Sequence, residues 1–362
     1  MNRFDVFPEL VMSKNKLGVS IVICCHNSAP RLPQTLTHLA AQQVTEGQIP
    51  WEVIVVDNAS TDQTASRALT LWPQDAPAPL RVVNEPQLGL IHARIRGFKE
   101  ATFELVSFID DDNWACPQWV ETISELMSQL NDIGACGGWI TAACEITPPP
   151  WFERYAKEYA VGQQAAKSGD VTSTRGFLWG AGLTIRKSAW QQLLDAGFCP
   201  VLSGRKGAIL SAGEDTEICL ALRLAGWRLW YDERLKLEHY LPAHRLEWPY
   251  LRRLHRGFGA SFVVLDAYLL SLRTSDDYVT RFKQIWPIKT IGCFRGLLIQ
   301  LGKWLLSHSN PLEREQALLQ CEYNQGKLLA LLRFRRDYAK MVERIQTLAE
   351  TVKTTSESQT ND

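Results

Sequence analysis

The sequence has no Cys-x-x-Cys pair, no apolar run long enough to cross a bilayer, and no excess of either charge. Each absence removes a class of function. The nine cysteines sit in apolar settings such as Ile23-Cys24-Cys25 and Ile218-Cys219-Leu220, which reads as buried thiols in a reducing compartment rather than a disulfide framework. With 39 basic against 39 acidic residues, the chain carries no electrostatic footprint for nucleic acid. The opening stretch from Met1 to Gly18 holds Asp5 and Glu9 and lacks a continuous apolar core, so no secretory signal is expected. The nearest approach to a membrane span, Ile285 to Ser307, is interrupted by Lys289, Arg295 and Lys303. A cytoplasmic protein is the expectation. A Gly-rich phosphate loop after the first apolar run is missing as well.

What is present is an alternation. From Gly18, short apolar runs (Val19 to Cys25, Trp51 to Asp57, Leu80 to Asn84, Leu105 to Asp110, Ile133 to Thr141) are separated by amphipathic segments: Leu32 to Gln43, Thr61 to Trp72, Ile91 to Ala101 and Pro117 to Leu130. Strand and helix patterns in turn predict right-handed crossovers and an α/β fold with a mostly parallel sheet covered on both faces. In such sheets ligands bind beyond the carboxyl ends of the strands.

Polar residues collect at those ends: Cys25-His26-Asn27, Asp57-Asn58-Ala59-Ser60, Asn84-Glu85 and Asp110-Asp111-Asp112-Asn113. Thr61 and Asp62 are read as caps of the following helix. If the strand that begins at Val106 continues into the acidic triplet, Asp110 and Asp112 project to one face and Asp111 to the other. Two aligned carboxylates suit Mg²⁺ or Mn²⁺, which take a few protein oxygens and complete their shell with substrate phosphates.

The rhythm breaks at Thr147-Pro148-Pro149-Pro150-Trp151-Phe152, and the long connection through Gly176 carries Tyr155 and Tyr159, which predicts an ordered loop over a ligand. Phe177 to Ile185 reads as a further strand whose glycines allow close backbone approach. Gly213-Glu214-Asp215 then opens a helix that ends before Gly226. A helix N-terminus favours a charged carboxylate, which complements the macrodipole and also suits a base.

Four segments recur in fixed order: Val19 to Asn27, Val55-Val56-Asp57 to Asp62, Phe108 to Asn113, and Gly213-Glu214-Asp215. Together, over roughly residues 18–240, they resemble the family-2 glycosyltransferases of GT-A fold. The resemblance implies inverting transfer of a sugar from a nucleotide diphosphate, a UDP-sugar, to a hydroxyl acceptor. It implies that Asp57 reads the base, Arg94 lies near the nucleotide, Asp110 and Asp112 bind Mn²⁺ or Mg²⁺ on the diphosphate with Asp112 as the direct ligand, and Asp215 is the general base. His239 matches a histidine that completes the metal shell in some relatives, with His244 close by as the alternative. Two departures stand out: many relatives have Pro-Thr-Tyr-Asn where this chain has Cys24-Cys25-His26-Asn27, and Asn113 replaces a frequent fourth acid. The competing readings are a sugar-phosphate nucleotidyltransferase, which leaves Glu214-Asp215 without a role, and a nucleotide-sugar-binding protein without turnover.

Beyond Tyr240 the chain becomes basic and aromatic, with Arg245, Arg252, Arg256, Lys289, Arg295 and Lys303 among Trp248, Phe258, Phe262, Trp286 and Phe294, and with Arg281 and Lys283 beside the acids Asp276 and Asp277. With Arg253 and Arg273 these basic residues outnumber the local acids, which also include Glu247 and Asp266, so a helical region over 241–350 is expected, with residues 245–307 as a peripheral contact for the inner face of an anionic membrane. Lipid-linked or polysaccharide acceptors are what the resemblance adds to that reading. Residues 1–17 are taken as an N-terminal extension and 351–362, rich in Ser, Thr and acids, as a disordered tail.

Overall fold

A computed structural model of the chain describes residues 16–45, 49–204, 212–273, 285–307 and 310–359. Residues 1–15 of the extension, Ser211, the charged positions Asp276, Asp277, Arg281 and Lys283, and the last three residues of the tail lie outside them.

The alternation predicted from Gly18 is the fold's first half. In order come β1 (Lys16–Cys25), α1 (Leu32–Ala40), β2 (Trp51–Asn58), α2 (Thr64–Leu71), β3 (Leu80–Glu85), α3 (Leu90–Glu100) and β4 (Phe103–Phe108). β5 (Asn113–Ala115), α4 (Trp119–Gln129) and β6 (Ile133–Cys144) follow. Helices cover both faces, so Val53 to Val56 are wholly buried and read as a continuous apolar run rather than an alternating one. Parallel pairing sets Cys25 opposite Asp57 and Asp57 opposite Asn84, so the polar ends of three strands lie level. Gly97 lets α3 press onto β1, because a Cβ there would come within 2.4 Å of Val22 Cγ1.

The second half makes the sheet mixed. α5 (Phe152–Tyr155), β7 (Gly169–Asp170), β8 (Thr184–Arg186), α6 (Lys187–Asp195), α7 (Glu214–Leu224) and β9 (Arg228–Leu241) complete the order β3-β2-β1-β4-β8-β6-β9-β5, with β7 beside β9. β8 is antiparallel to both β4 and β6, whereas β6 and β9 run parallel. The expected strand over Phe177 to Ile185 contracts to β8, because Gly182 turns the chain at φ +73° against the ring of Trp119.

Among the described residues four α-helices follow: α8 (Trp248–Ser271), α9 (Trp286–Leu306), α10 (Pro311–Arg333) and α11 (Tyr338–Gln359). Gly259 and Gly326 bring α8 and α10 into backbone contact: a Cβ at either would lie 1.9 Å from a carbonyl oxygen of the other helix, at Tyr323 or Arg256. The buried Glu322 carboxylate accepts from Arg252 and Arg256 together, which accounts for two of the basic residues beyond Tyr240. Tyr338, Met341, Ile345, Leu348 and Val352 form a buried stripe at helical spacing and share a core with Ile218 and Leu222 of α7. That stripe draws the polar stretch after Thr351 into α11, which stays helical through Gln359 where a disordered tail was expected. No helix among the described residues is long and apolar enough to cross a membrane.

Candidate active site

A cavity of about 890 Å³ opens at the carboxyl ends of β1, β2 and the β4 region, and Arg94, Asp110, Asp112, Asp215 and His239 all line it. Asp57 does not reach its wall; its Oδ1 accepts from the Ser60 amide at 3.3 Å. The neighbouring Asn58 takes the wall position instead. Its side chain donates to the carbonyls of Glu85 and Gln87 and accepts from the Gly89 amide, tying the ends of β2 and β3 to the start of α3.

β4 ends at Phe108, so the acidic triplet stands in a turn, closed by the Asn113 amide donating to the Asp110 carbonyl at 3.0 Å. Strand alternation therefore does not orient the three carboxylates. Asp111, placed on the opposite face by the expected strand alternation, holds α1's approach: Arg31 Nη2 lies 2.5 Å from its Oδ2, and its backbone carbonyl accepts from Thr35. Burial and the adjacent Asp112 charge push the Asp111 carboxyl above its ordinary range, with Arg31 pulling the other way.

Asp112 is 3% exposed. Its Oδ2 accepts from Arg245 Nη1 at 2.8 Å and its Oδ1 from Asn113 Nδ2 at 3.1 Å. Antiparallel pairing of β5 with β9 sets His239 opposite Asn113, which brings His239 Nε2 to 3.8 Å from Asp112 Oδ1. The tautomer follows from the partners. Nδ1 is 2.9 Å from the Tyr159 carbonyl and must donate to it, while Nε2 faces Arg245 Nη1 at 3.4 Å, which has only protons to offer. In this tautomer a neutral His239 turns its Nε2 lone pair toward the Arg245 guanidinium, with Asp112 Oδ1 3.8 Å away. His244 also lines the cavity, but its ring packs edge-on against Tyr250.

The loop after β6 is ordered, as its aromatic residues predict: Phe152, Tyr155 and Tyr159 bury against Tyr250 and Leu254, and Lys157 to Ala160 form part of the cavity wall. Farther along the wall, α7 begins after Gly213, whose φ of +97° turns the chain into the helix. Asp215 Oδ2 accepts from the Gly180 amide at 2.6 Å and Oδ1 from the Thr216 amide at 2.7 Å. Gly180 leaves room for both side chains, since a Cβ there would sit 2.6 Å from Arg94 Nη2 and 3.2 Å from Asp215 Oδ2. Arg94 is 2% exposed, lies over the Phe108 ring, and approaches Glu214 at 3.9 Å, yet its Nη1 has no hydrogen-bond partner among the described residues. A buried guanidinium with a spare donor at a cavity wall is built for an anionic ligand.

Residues 20–194 match the glycosyl transferase family 2 model. The chain carries a family-2 glycosyltransferase domain. Among its curated relatives is the glucosyl-dolichyl phosphate glucuronosyltransferase of Haloferax volcanii, 24% identical over 223 residues that cover 59% of this chain and 67% of that protein. The succinoglycan biosynthesis protein ExoM of Rhizobium meliloti is 26% identical over 250 residues, covering 68% of this chain and 75% of ExoM. The crystal structure of S. aureus TarS 1–349 in complex with UDP-GlcNAc shares the fold with a TM-score of 0.52 at 14% identity, over 94% of this chain and 92% of that TarS 1–349 chain. The glycosyltransferase is therefore an enzyme of GT-A-like architecture with an added helical region.

The family resemblance implies a divalent cation. Among the described residues no group of three or more His, Cys, Asp and Glu side chains is gathered to hold a metal alone, and Asp110 does not join Asp112 and His239 in such a cluster. A neutral imidazole nitrogen and a carboxylate oxygen nevertheless converge on one cationic nitrogen, that of Arg245. That donor pair fits an ion that takes its other ligands from substrate. Sequence reading gave Gly180 no role of its own, named Asn58 only among the polar residues at the strand ends, and placed Arg245 in the basic membrane-facing run; an arginine just beyond a histidine matched to the metal shell was the available signal for its place in the site.

Proposed function

We propose that this glycosyltransferase moves a sugar, with inversion, from a UDP-sugar to a hydroxyl of a lipid-linked or polysaccharide acceptor. The observation that carries this reading is that Asp215, Arg94 and the Asp112–His239 pair share one cavity. Asp215 is the base: anchored by two amides, it takes the proton from the attacking hydroxyl. Arg94 presents its spare donor to the departing diphosphate. Asp112 and His239 would hold Mn²⁺ or Mg²⁺, with Asp110 beside them, and the bound ion supplies charge stabilisation to the leaving group. Asp57, near the end of β2, holds the turn that follows through the bond it accepts from Ser60, and in this reading the nucleotide base is recognised there.

The names of the relatives, one acting on a dolichyl phosphate sugar and one in succinoglycan biosynthesis, favour envelope or surface-glycan synthesis. Peripheral contact with the inner membrane face fits α9, whose Ile291, Phe294, Leu298 and Leu305 are about half or more exposed on a helix that holds Lys289, Arg295 and Lys303 and no acid. Incubating purified protein with UDP-Glc, UDP-GlcNAc or UDP-GlcA, Mn²⁺ and membrane-extracted acceptors should release UDP. Absence of both UDP release and UDP binding with every donor would sink the proposal.

A further inference from the structure

The cavity has two kinds of wall besides its polar end. On α8 it is apolar, lined by Phe258 and Phe262, whereas α7 turns Thr216, Leu220 and Arg223 toward it at spacings of four and three, one face of a helix. The segment from Gly176 to Gly180 lies along α7 in the opposite direction. The Gly180 amide donates to Asp215, Cys219 Sγ lies 3.9 Å from the Leu178 carbonyl, and Arg223 Nη1 donates to the Gly176 carbonyl at 3.1 Å. Asp215 and Arg223 are about 12 Å apart along the helix axis, and the tilt of helical side chains toward the N-terminus brings the guanidinium back toward the base.

Arg175 stands at the Gly176 end of this strip. Its Nε donates to the Phe177 carbonyl at 3.1 Å, and its guanidinium lies over the rings of Phe177 and Trp179, 4.5 and 4.4 Å from their centroids. One nitrogen and two aromatic faces thus hold the fork in place. Its two terminal nitrogens make no hydrogen bond among the described residues, and Arg223 Nε is buried without a partner among them. Both arginines line the cavity half-buried, and neither makes an ion pair among the described residues. Burial lowers the pKa of each, with the charge of Asp215 working against it at Arg175. Arg186 shows the structural alternative: it too lacks an acid, but it gives its donors to the carbonyls of Ile133, Met127 and Leu130.

Two half-buried guanidinium groups without a carboxylate, on the wall that leads from the base, make a receptor for an oxyanion. The donor's diphosphate is not that anion. Arg94 meets the strip at its other end, where a Cβ on Gly180 would lie 2.6 Å from Arg94 Nη2. We propose that the acceptor glycan carries an acidic sugar, whose carboxylate or phosphate is held by Arg175 and Arg223 while a hydroxyl of the glycan meets Asp215. This rests on the glycosyltransferase reading and adds the two residues that select the acceptor and the charge they select.

Calorimetry on the full chain, saturated with UDP and Mn²⁺, compares methyl β-glucoside with methyl β-glucuronide and methyl β-glucoside 6-phosphate. A charged glycoside is expected to bind about tenfold more tightly than the neutral one, as a charge-assisted hydrogen bond allows, and the tighter of the two identifies the anion. Arg175→Gln should bring that ratio near unity with UDP affinity and melting temperature unchanged, while Arg175→Lys, which keeps the charge and loses the fork, should retain part of it. Arg223 also holds the Gly176 carbonyl, so Arg223→Gln is read by the same ratio rather than by absolute affinity. Equal affinity for the three glycosides, binding of none of them, or a ratio that survives Arg175→Gln would overturn the proposal. Intact UDP binding beside any of these results leaves the transferase reading standing, whereas a parent chain that does not bind UDP counts against that reading instead.

Discussion

Arg245 donates to Asp112 across 2.8 Å, and the same nitrogen lies 3.4 Å from the lone pair of His239, so a side-chain cation occupies the point on which both groups converge. A divalent ion and this guanidinium compete for one carboxylate. Hydrogen bonds to charged groups are worth about 1.5–3 kcal/mol, so Arg245→Gln should tighten donor-free Mn²⁺ binding by about tenfold. Asp112→Ala should abolish it. Titration followed by the Mn²⁺ paramagnetic resonance signal reads both, and unchanged affinity in Asp112→Ala would remove the metal role.

Asp215→Asn keeps the shape of the group and one oxygen to accept from an amide, gives up the second of its two amide contacts, and removes its basicity. General-base contributions run to about 10²–10⁴ in rate, so kcat should fall by that order with UDP affinity held within about twofold. A parallel loss of UDP binding, measured by calorimetry, would make Asp215 a donor-binding residue rather than the base.

The pH dependence of stability should carry the signature of Glu217. Its carboxylate accepts from the Val201 and Leu202 amides and from Tyr268, but burial dominates and pushes its pKa up to about 7. A carboxyl whose pKa is higher folded than unfolded stabilises fully below its unfolded value, and that contribution is lost as pH rises through about 7. Melting temperature should therefore decline between pH 5 and 7 in the parent chain, on the order of the range that the shift spans, and decline less in Glu217→Gln. Superimposable profiles would refute the assignment.

Glu322→Ala should destabilise the helical region by about 2 kcal/mol, since it removes the shared partner of Arg252 and Arg256. Both arginines are two-fifths exposed or slightly more, so water takes over part of their solvation and limits the loss. Denaturant titration checks the magnitude.

The fold's first half was legible because its signals are local. Buried β-branched runs and amphipathic segments announce β1 to β4 and their helices, and the polar residues that follow each run mark where a ligand sits. The rest depends on contacts that no short window contains. Arg245 meets Asp112 from 133 positions away, through the pairing of β5 with β9. Asp111 was read from an assumed strand geometry, whereas the chain turns after Phe108 and hands it to Arg31. The tail after Thr351 reads as polar and structureless, but the apolar stripe before it carries it along as helix. β8 was overestimated because Gly182 bends a segment whose composition favours extension.

The paired glycines at 259 and 326 have a mechanical consequence. With no side chain between their backbones, α8 and α10 move as one beam, and the wall bearing Phe258 and Phe262 is tethered to Tyr323 instead of swinging free. A cleft with such a stiff side selects by width rather than by adapting to its guest.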